Sequence, residues 1–152
     1  MRTRVTITGL ALGTVLLGGG LAAPAAQAAT TRTEAVTCKT LSASVTNSAG
    51  SRGGHVQGTF CIAASSAYLN DAYNNFVQDD AADGVAARAY VTASGITNGP
   101  LATDSTSTAG GTSLGPWEST DPGVTSVRLW VCLGTAFPGS SGARCGSAVM
   151  SG

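Results

Sequence analysis

The chain has 152 residues, and its eight Lys and Arg residues balance eight Asp and Glu residues, with only 11% of all positions charged. This sparse, balanced charge excludes binding of nucleic acid or anionic membranes through bulk electrostatics. Gly, Ser and Thr each occur 16 times from Ala29 onward, a composition that disfavours a helical bundle and leaves few side chains for acid–base catalysis.

The first 28 residues predict a cleaved export signal. Arg2 and Arg4 give a positive start, an apolar run covers about 7–23, and Ala26-Gln27-Ala28 gives the small residues of a cleavage site. Glycines and Pro24 interrupt the apolar run before it reaches the roughly 20 residues that a membrane span needs. We therefore expect a secreted protein without membrane insertion, beginning at Ala29 with a net charge of −2.

The mature chain begins with a polar, Thr-rich segment over 29–37 that has no helical period. It is predicted to be a flexible N-terminal extension, and its high Thr content also suits an added β-strand. Residues 38–152 have the size of a single domain.

Four later segments alternate apolar and polar residues with a period of two. They run from Leu41 to Val45, from Val56 to Ile62, from Val85 to Val91 and from Val127 to Leu133. Gly, Ser and Asn residues separate them, as expected for antiparallel strands that each bury one face. The sequence therefore predicts an all-β fold, either an antiparallel sandwich or a small barrel.

Two stretches depart from this pattern. Over 67–82, apolar side chains recur at helical offsets, which predicts either one short helix or an aromatic loop, because the Asn and Asp content weakens helix formation. Over 99–123, Gly and Pro residues among Ser and Thr predict a long loop with Trp117 as its single large side chain. Trp117 is expected either to close the edge of the core or to bind a partner.

Four cysteines are predicted to form two disulfides that staple the domain, because export places them in an oxidising compartment. They are Cys38, Cys61, Cys132 and Cys145. Three pairings are formally possible. Cys38–Cys61 and Cys132–Cys145 fit best, since each pair joins an extended segment to its neighbour in sequence. A zinc site is disfavoured because the cysteines are scattered and His55 is the one histidine.

No residue pattern predicts an enzyme or a bound cofactor. His55 is the single candidate for a catalytic base, and its predicted strand gives it polar, solvent-facing neighbours. The acidic residues Asp71, Asp79, Asp80 and Asp83 suggest calcium as an alternative to a solvated turn, but their spacing does not match a calcium loop. Phosphate-binding motifs are absent.

Three segments together resemble a group of known proteins. They are the Cys-bearing strand 58–62, the strand 87–91 and the segment 127–133, with Cys145 nearby. The layout is similar to that of the small secreted four-cysteine β proteins of streptomycetes, one subset of which is the adaptor of the umbrella toxin particles. This resemblance implies a non-enzymatic adaptor that links a lectin-like subunit to a large toxin protein in an antibacterial complex. It also implies an N-terminal arm that docks by strand complementation.

The sequence therefore predicts a secreted protein-binding module in a hetero-oligomeric complex, with an adaptor as its most specific form. The candidate partner-binding residues are Thr30, Thr31, Arg32, Thr33, Glu34, Ala35, Val36 and Trp117. One alternative is an inhibitor of a secreted protease or amylase, acting through the loop 139–144 or the Trp117 loop. The other is a module that binds carbohydrate or the cell envelope by stacking on Tyr68, Tyr73, Phe76 and Trp117.

Overall fold

A computed structural model describes residues 35–64 and 66–152 of the chain. Over these residues the chain forms ten β-strands and no helix. The strands are β1 (Thr37–Thr46), β2 (Arg52–Ala63), β3 (Ser66–Leu69), β4 (Phe76–Asp79), β5 (Ala87–Ala93), β6 (Ile96–Asp104), β7 (Thr112–Ser113), β8 (Glu118–Ser119), β9 (Ser126–Leu133) and β10 (Cys145–Ser151).

The strands form two antiparallel sheets. In the first sheet β1 pairs with one side of β2, while β4 and β3 share the other side of β2 at 54–57 and 60–63. The short strands β7 and β8 extend this sheet by pairing with β4 and β3. The second sheet has the order β10-β9-β5-β6.

The core lies between the facing sides of the two sheets, so the architecture is a β-sandwich. Leu41, Ala43 and Val45 of β1 are buried while the residues between them are exposed, and Val127, Leu129 and Val131 of β9 are fully buried. The period-two pattern therefore predicted the buried faces correctly, because successive side chains of a strand point to opposite sides of the sheet.

Both expected disulfides are present. Cys38 bonds to Cys61 and Cys132 bonds to Cys145, over sequence separations of 23 and 13 residues. In each case the two cysteines are directly opposite in neighbouring strands, β1 with β2 and β9 with β10. Each disulfide therefore fixes the register of one strand pair.

Of the two alternatives for 67–82, the helix is wrong, and the loop is correct only for 70–75. The chain forms β3 and β4 there, and a loop over 70–75 leaves the sheet between them. The buried side chain of Asn75 fills the gap: its Oδ1 accepts from the N–H of Thr59 at 2.8 Å, and its Nδ2 donates to the carbonyl of Asn70 at 2.8 Å. A side-chain amide thus takes the place of a missing strand partner for β2, and Tyr73, expected on the helical stripe, is 55% exposed.

The predicted long loop over 99–123 is more ordered than expected. Its first residues belong to β6, and β7 and β8 lie within it. Leu114 and Trp117 hold it against the domain, since the N–H of Leu114 donates to the carbonyl of Asn75 and the carbonyl of Trp117 accepts from the N–H of Leu69.

The predicted signal over 1–28 and most of the predicted extension over 29–37 lie outside the described residues. Regular structure begins at Thr37, the last residue of that extension. Among the described residues, no helix has the length and apolar character to cross a membrane.

Candidate functional site

The predicted arm leads directly into β1. Of its candidate residues, Thr30 to Glu34 lie outside the described part of the chain. Ala35 and Val36 are exposed, and Val36 presents 51% of its surface to solvent. An exposed Val immediately before a strand is a suitable contact for an incoming chain, since it buries apolar surface only when a partner covers it.

The first four residues of β1 are exposed on both faces of the strand. Residues 37–40 are paired with β2, yet none is buried, and the alternating burial starts only at Leu41. Lys39 occupies the position in the alternation where Leu41 and Ala43 point into the core. Thr37 and Lys39 at the beginning of β1 therefore lie outside the packed core, although their alternation places them on its side of the strand.

The free backbone edge of β1 can be derived from its register. Cys38 and Cys61 lie opposite each other with their Cα atoms 4.0 Å apart, a spacing that belongs to the non-hydrogen-bonded pairs of an antiparallel ladder. The N–H and C=O groups of Cys38, and by alternation those of Thr40, therefore point away from β2. In the described structure β1 pairs with β2 alone, and no hydrogen bond reaches these groups.

The other end of the same edge is closed. The backbone of Gly146 in β10 lies so close to the carbonyl of Ser44 that a Cβ at position 146 would overlap it. Ser44 follows Cys38 by an even number of residues, so its carbonyl points outward as the alternation requires. The open part of the edge therefore comprises the segment that the arm enters.

His55 forms an ion-pair cluster with Asp80 and Arg52. Its Nδ1 lies 2.7 Å from Oδ2 of Asp80, and Nε of Arg52 lies 2.9 Å from the same oxygen. The imidazole also meets Phe76 edge to face, with ring centroids 5.2 Å apart. Among the described hydrogen bonds of His55, none involves a Ser, Thr or Cys nucleophile. This arrangement accounts for His55 as a packed side chain of the first sheet that is hydrogen-bonded to Asp80.

The acidic residues do not converge on one site. Asp79 is buried at 2% exposure and accepts from the N–H of Ala81, whereas Asp83 accepts from the N–H of Val85 in an exposed loop. The expected solvated turn is therefore wrong for Asp79. Over residues 35–64 and 66–152, no three His, Cys, Asp or Glu side chains are grouped closely enough to hold a metal ion.

Trp117 lies in the core, as the edge-closing alternative predicted. Its side chain is 9% exposed and meets Phe60 with ring centroids 5.7 Å apart. One edge of it borders an open depression of about 350 Å³, which Tyr68, Asp71 and Glu118 also line. Tyr68 and Trp117 are thus neighbours, but the expected stacking platform is not continuous, because Phe76 contacts His55 instead.

The loop over 139–144 has internal hydrogen bonds at both ends. The N–H of Ala143 donates to the carbonyl of Ser140, and the carbonyl of Arg144 accepts from the N–H of Leu133 at 3.0 Å. A substrate-like inhibitor must present the carbonyl of its specificity residue to the oxyanion hole of the protease. Because the carbonyl of Arg144 is already engaged, this geometry disfavours Arg144 in that role.

No family model, curated protein or solved structure matches this chain. The sequence pattern predicts the arm but does not indicate that the main-chain groups of Cys38 and Thr40 point outward. The available signal was Lys39, the charged residue that breaks the alternation just before Leu41.

Proposed function

We propose that this chain is a secreted, non-enzymatic module that binds a partner protein by strand pairing through its N-terminal arm and the beginning of β1. The observation that carries the proposal is the outer edge of β1 at Cys38 and Thr40, with which no strand of the described structure pairs and where β1 is exposed on both faces. Native proteins protect exposed strand edges against pairing with other chains, except where such pairing is the function of the edge. In the sequence, this edge directly follows an arm rich in Thr, a residue that favours β-strands.

The proposed binding mode is β-augmentation. Main-chain hydrogen bonds along Cys38 and Thr40 supply affinity, and alternate side chains such as Val36 supply specificity. The Cys38–Cys61 disulfide holds the first residues of β1 to β2. The edge is therefore rigid before it meets the partner, which reduces the entropy lost on binding.

The more specific proposal is an adaptor that joins a lectin-like subunit to a large toxin protein. Its support is the resemblance to the adaptor of the umbrella toxin particles, together with the arm that the resemblance requires. Secretion is supported by the predicted signal and by two disulfides, which are consistent with an extracellular protein.

The test compares two variants at one position of the edge. Thr40→Pro removes the outward N–H, and proline is tolerated on edge strands. Thr40→Val keeps that N–H and, like the proline, loses the 2.8 Å contact of the Thr40 hydroxyl with the Thr59 hydroxyl. Any difference in binding between these variants therefore reports the main-chain edge and not the hydroxyl contact.

The mature protein, tagged at its C-terminus, is used to capture co-secreted proteins from the culture supernatant of the producing organism, with quantification by mass spectrometry. We expect wild type and Thr40→Val to capture the same partner in stoichiometric amount. Thr40→Pro and a deletion of 29–36 should each reduce its capture at least about tenfold. The proline removes a main-chain hydrogen bond to the partner, and the deletion removes the arm. Circular dichroism and urea unfolding establish that each variant is folded.

Equal capture by wild type, Thr40→Pro and the deletion would overturn the proposal. Capture of a single protease or amylase, with its inhibition abolished by changes in 139–144 and not by Thr40→Pro, would replace it with the inhibitor alternative. Inhibition assays with trypsin, subtilisin and α-amylase provide that comparison directly.

A further inference from the structure

The outer face of the second sheet carries three aromatic side chains and two arginines in adjacent positions. Tyr90 of β5 is directly opposite Trp130 of β9, so both rings lie on the same face. Arg88 and Arg128 occupy the neighbouring outward positions of these strands, on either side of the aromatic pair. Phe137, from the loop between β9 and β10, joins this set, which we call the arginine–aromatic face: Arg88, Tyr90, Arg128, Trp130 and Phe137.

The aromatic rings are fixed in place by the protein. Phe137 meets Tyr90 edge to face at a centroid distance of 5.4 Å and leaves 43% of its own surface exposed. The indole N–H of Trp130 donates to the hydroxyl of Thr92 at 2.9 Å. Rigid aromatic side chains with exposed area are characteristic of the energetic centres of protein interfaces.

The two arginines flank these rings and are charged without a carboxylate partner. The guanidinium of Arg128 lies 5.3 Å from the centroid of Trp130 and donates to the hydroxyl of Ser147. The Nε of Arg88 is buried, and no group among residues 35–64 and 66–152 forms a hydrogen bond with it. Such an atom calls for an explanation, because a buried polar group left unpaired costs free energy.

The charged side chains on this face, Arg88 and Arg128, are both positive. Within the described part of the chain, Arg52 is the one Arg or Lys whose side chain contacts a carboxylate, that of Asp80 next to the first sheet. The outward positions of β5, β9 and β10 hold no Asp or Glu. Arg88 lies four residues from Thr92, the partner of Arg128, so the two arginines are offset by about 13 Å along the strands at about 3.3 Å per residue.

We propose that the arginine–aromatic face docks an extended acidic segment of a partner protein. One carboxylate meets Arg88, a second meets Arg128, and an apolar side chain between them covers Trp130 and Phe137. Charge-assisted bonds to arginine are directional and can be bidentate, which fits two fixed guanidinium groups better than a diffuse anion. The inference is independent of the proposed function, because it uses the other sheet.

Two other ligand classes fit less well. A sugar needs a free ring face, but Tyr90 is 3% exposed and Arg128 covers one face of Trp130. A nucleic acid needs several phosphate contacts to bind at ordinary salt, and this face offers two arginines on a protein whose predicted mature charge is negative.

The test uses the mature protein and the probe peptide Ac-Glu-Thr-Val-Thr-Glu-NH2, whose carboxylates match the arginine spacing in an extended conformation. A matched peptide carries Gln in place of both Glu residues. Amide NMR titration should shift the Trp130 indole and the backbone of Arg88 and Arg128. The Gln peptide should bind at least about tenfold more weakly, since each charge-assisted bond is worth more than a neutral one.

Arg88→Gln and Arg128→Gln should each weaken binding of the Glu peptide about tenfold. Arg144→Gln is the matched control, because the exposed Arg144 does not belong to the arginine–aromatic face and lines a different depression with Asn47 and Asp83. Arg88→Lys keeps the charge and should restore part of the affinity, while urea unfolding checks that each variant folds.

Equal binding of the two peptides would overturn the proposal by showing that the carboxylates contribute nothing to binding. Equal weakening by Arg144→Gln would overturn it by showing a general charge effect. Shifts that map to another surface would overturn it too. Binding of polygalacturonate at this face without binding of the Glu peptide would assign the face to an acidic glycan and contradict an acidic protein segment.

Discussion

The carboxylate of Asp104 joins the two sheets by binding the main chain of Asp79. Its Oδ2 accepts from the N–H of Asp79 at 3.0 Å, and its Oδ1 accepts from the N–H and the hydroxyl of Thr106. Asp104 ends β6 in the second sheet, while Asp79 ends β4 in the first. Both carboxylates are 2% exposed, so a buried ionisable pair lies where two edges of the sandwich meet.

The first prediction concerns Asp104→Asn. An amide can accept with one atom only, so either the N–H of Asp79 or that of Thr106 faces an NH2 group. Leaving a buried donor unsatisfied lowers the free energy of unfolding by about 1–3 kcal/mol, measured by urea denaturation at pH 7. Asp121→Asn is the control: its side chain accepts from Gly123 in an exposed turn, and we expect little change. Equal stability of Asp104→Asn and wild type would contradict the cross-sheet role.

The second prediction concerns the pH dependence of stability. Burial raises the pKa of Asp79 above 3.8. Burial also acts to raise the pKa of Asp104, but hydrogen bonds from Asp79 and Thr106 outweigh it and lower this pKa. Asp104 therefore stabilises the fold above the unfolded pKa, and this contribution is lost as the pH falls through its lowered folded pKa. Asp79 has the opposite effect. Its buried, ionised carboxylate destabilises the fold at neutral pH, and this destabilisation is lost as the pH falls through the raised pKa and the group is protonated.

We therefore expect Asp79→Asn to be more stable than wild type at pH 7, since its amide oxygen can still accept from the N–H of Ala81. The advantage should shrink as the pH is lowered through the raised pKa of Asp79. Urea midpoints measured from pH 7 down to pH 3 check this. A variant less stable than wild type at neutral pH, or a constant difference across the range, would contradict the assignment.

The third prediction concerns the disulfide at the beginning of β1. Replacing Cys38 and Cys61 by Ala should lower the free energy of unfolding by about 3 kcal/mol. It should also increase hydrogen exchange at Lys39, whose N–H points toward β2 by the alternation of the ladder. Replacing Cys132 and Cys145 is the matched control, since it removes a similar bond from the other sheet. That variant should leave exchange at Lys39 unchanged, and increased exchange in both would contradict a local role for Cys38–Cys61.

The sequence was sufficient to predict those parts of the fold that depend on local pattern. Alternation along β1 and β9 predicted the buried faces. Both disulfides were predicted by pairing cysteines in extended segments that are neighbours in sequence, because such strands usually pair. The segment 67–82 was mispredicted because its pattern is the same for a helix and for two short strands with an inserted loop. The hydrogen bond from Thr59 to Asn75 decides between them, and it joins residues that no local pattern relates.

The candidate site was predictable only in part for a similar reason. The arm could be identified from its composition, but the direction of the main-chain groups of Cys38 depends on its pairing with Cys61. Likewise, Arg88 and Arg128 become neighbours of one aromatic group only through the register of β5 with β9. Register is a tertiary property, set by the whole sheet.

The fourth prediction concerns Gly146, where β10 closes the edge of β1. A Cβ at this position would overlap the carbonyl of Ser44, which is main chain and cannot move as a flexible side chain would. Gly146→Ala should therefore lower the free energy of unfolding by about 1–3 kcal/mol, the usual cost of overpacking. Gly123→Ala is the control, because its Cβ would meet the side chain of Asp121 at an ordinary 3.4 Å. Equal urea midpoints for the two variants would mean that β10 does not hold this edge closed.

The fifth prediction separates the two roles considered for Trp117. Trp117 is buried in the core and packs on Phe60. Replacing it by Ala should therefore lower the free energy of unfolding by about 3–5 kcal/mol. Trp130→Ala should lower the free energy of unfolding by less, because the side chain of Trp130 lies on the outer face of its sheet and is only half-buried. In the Trp130→Phe variant, the remaining emission comes from Trp117 and should be blue-shifted and poorly quenched by acrylamide. A Trp117→Ala protein as stable as wild type would instead make Trp117 a binding residue, with a loss of partner capture as its expected consequence.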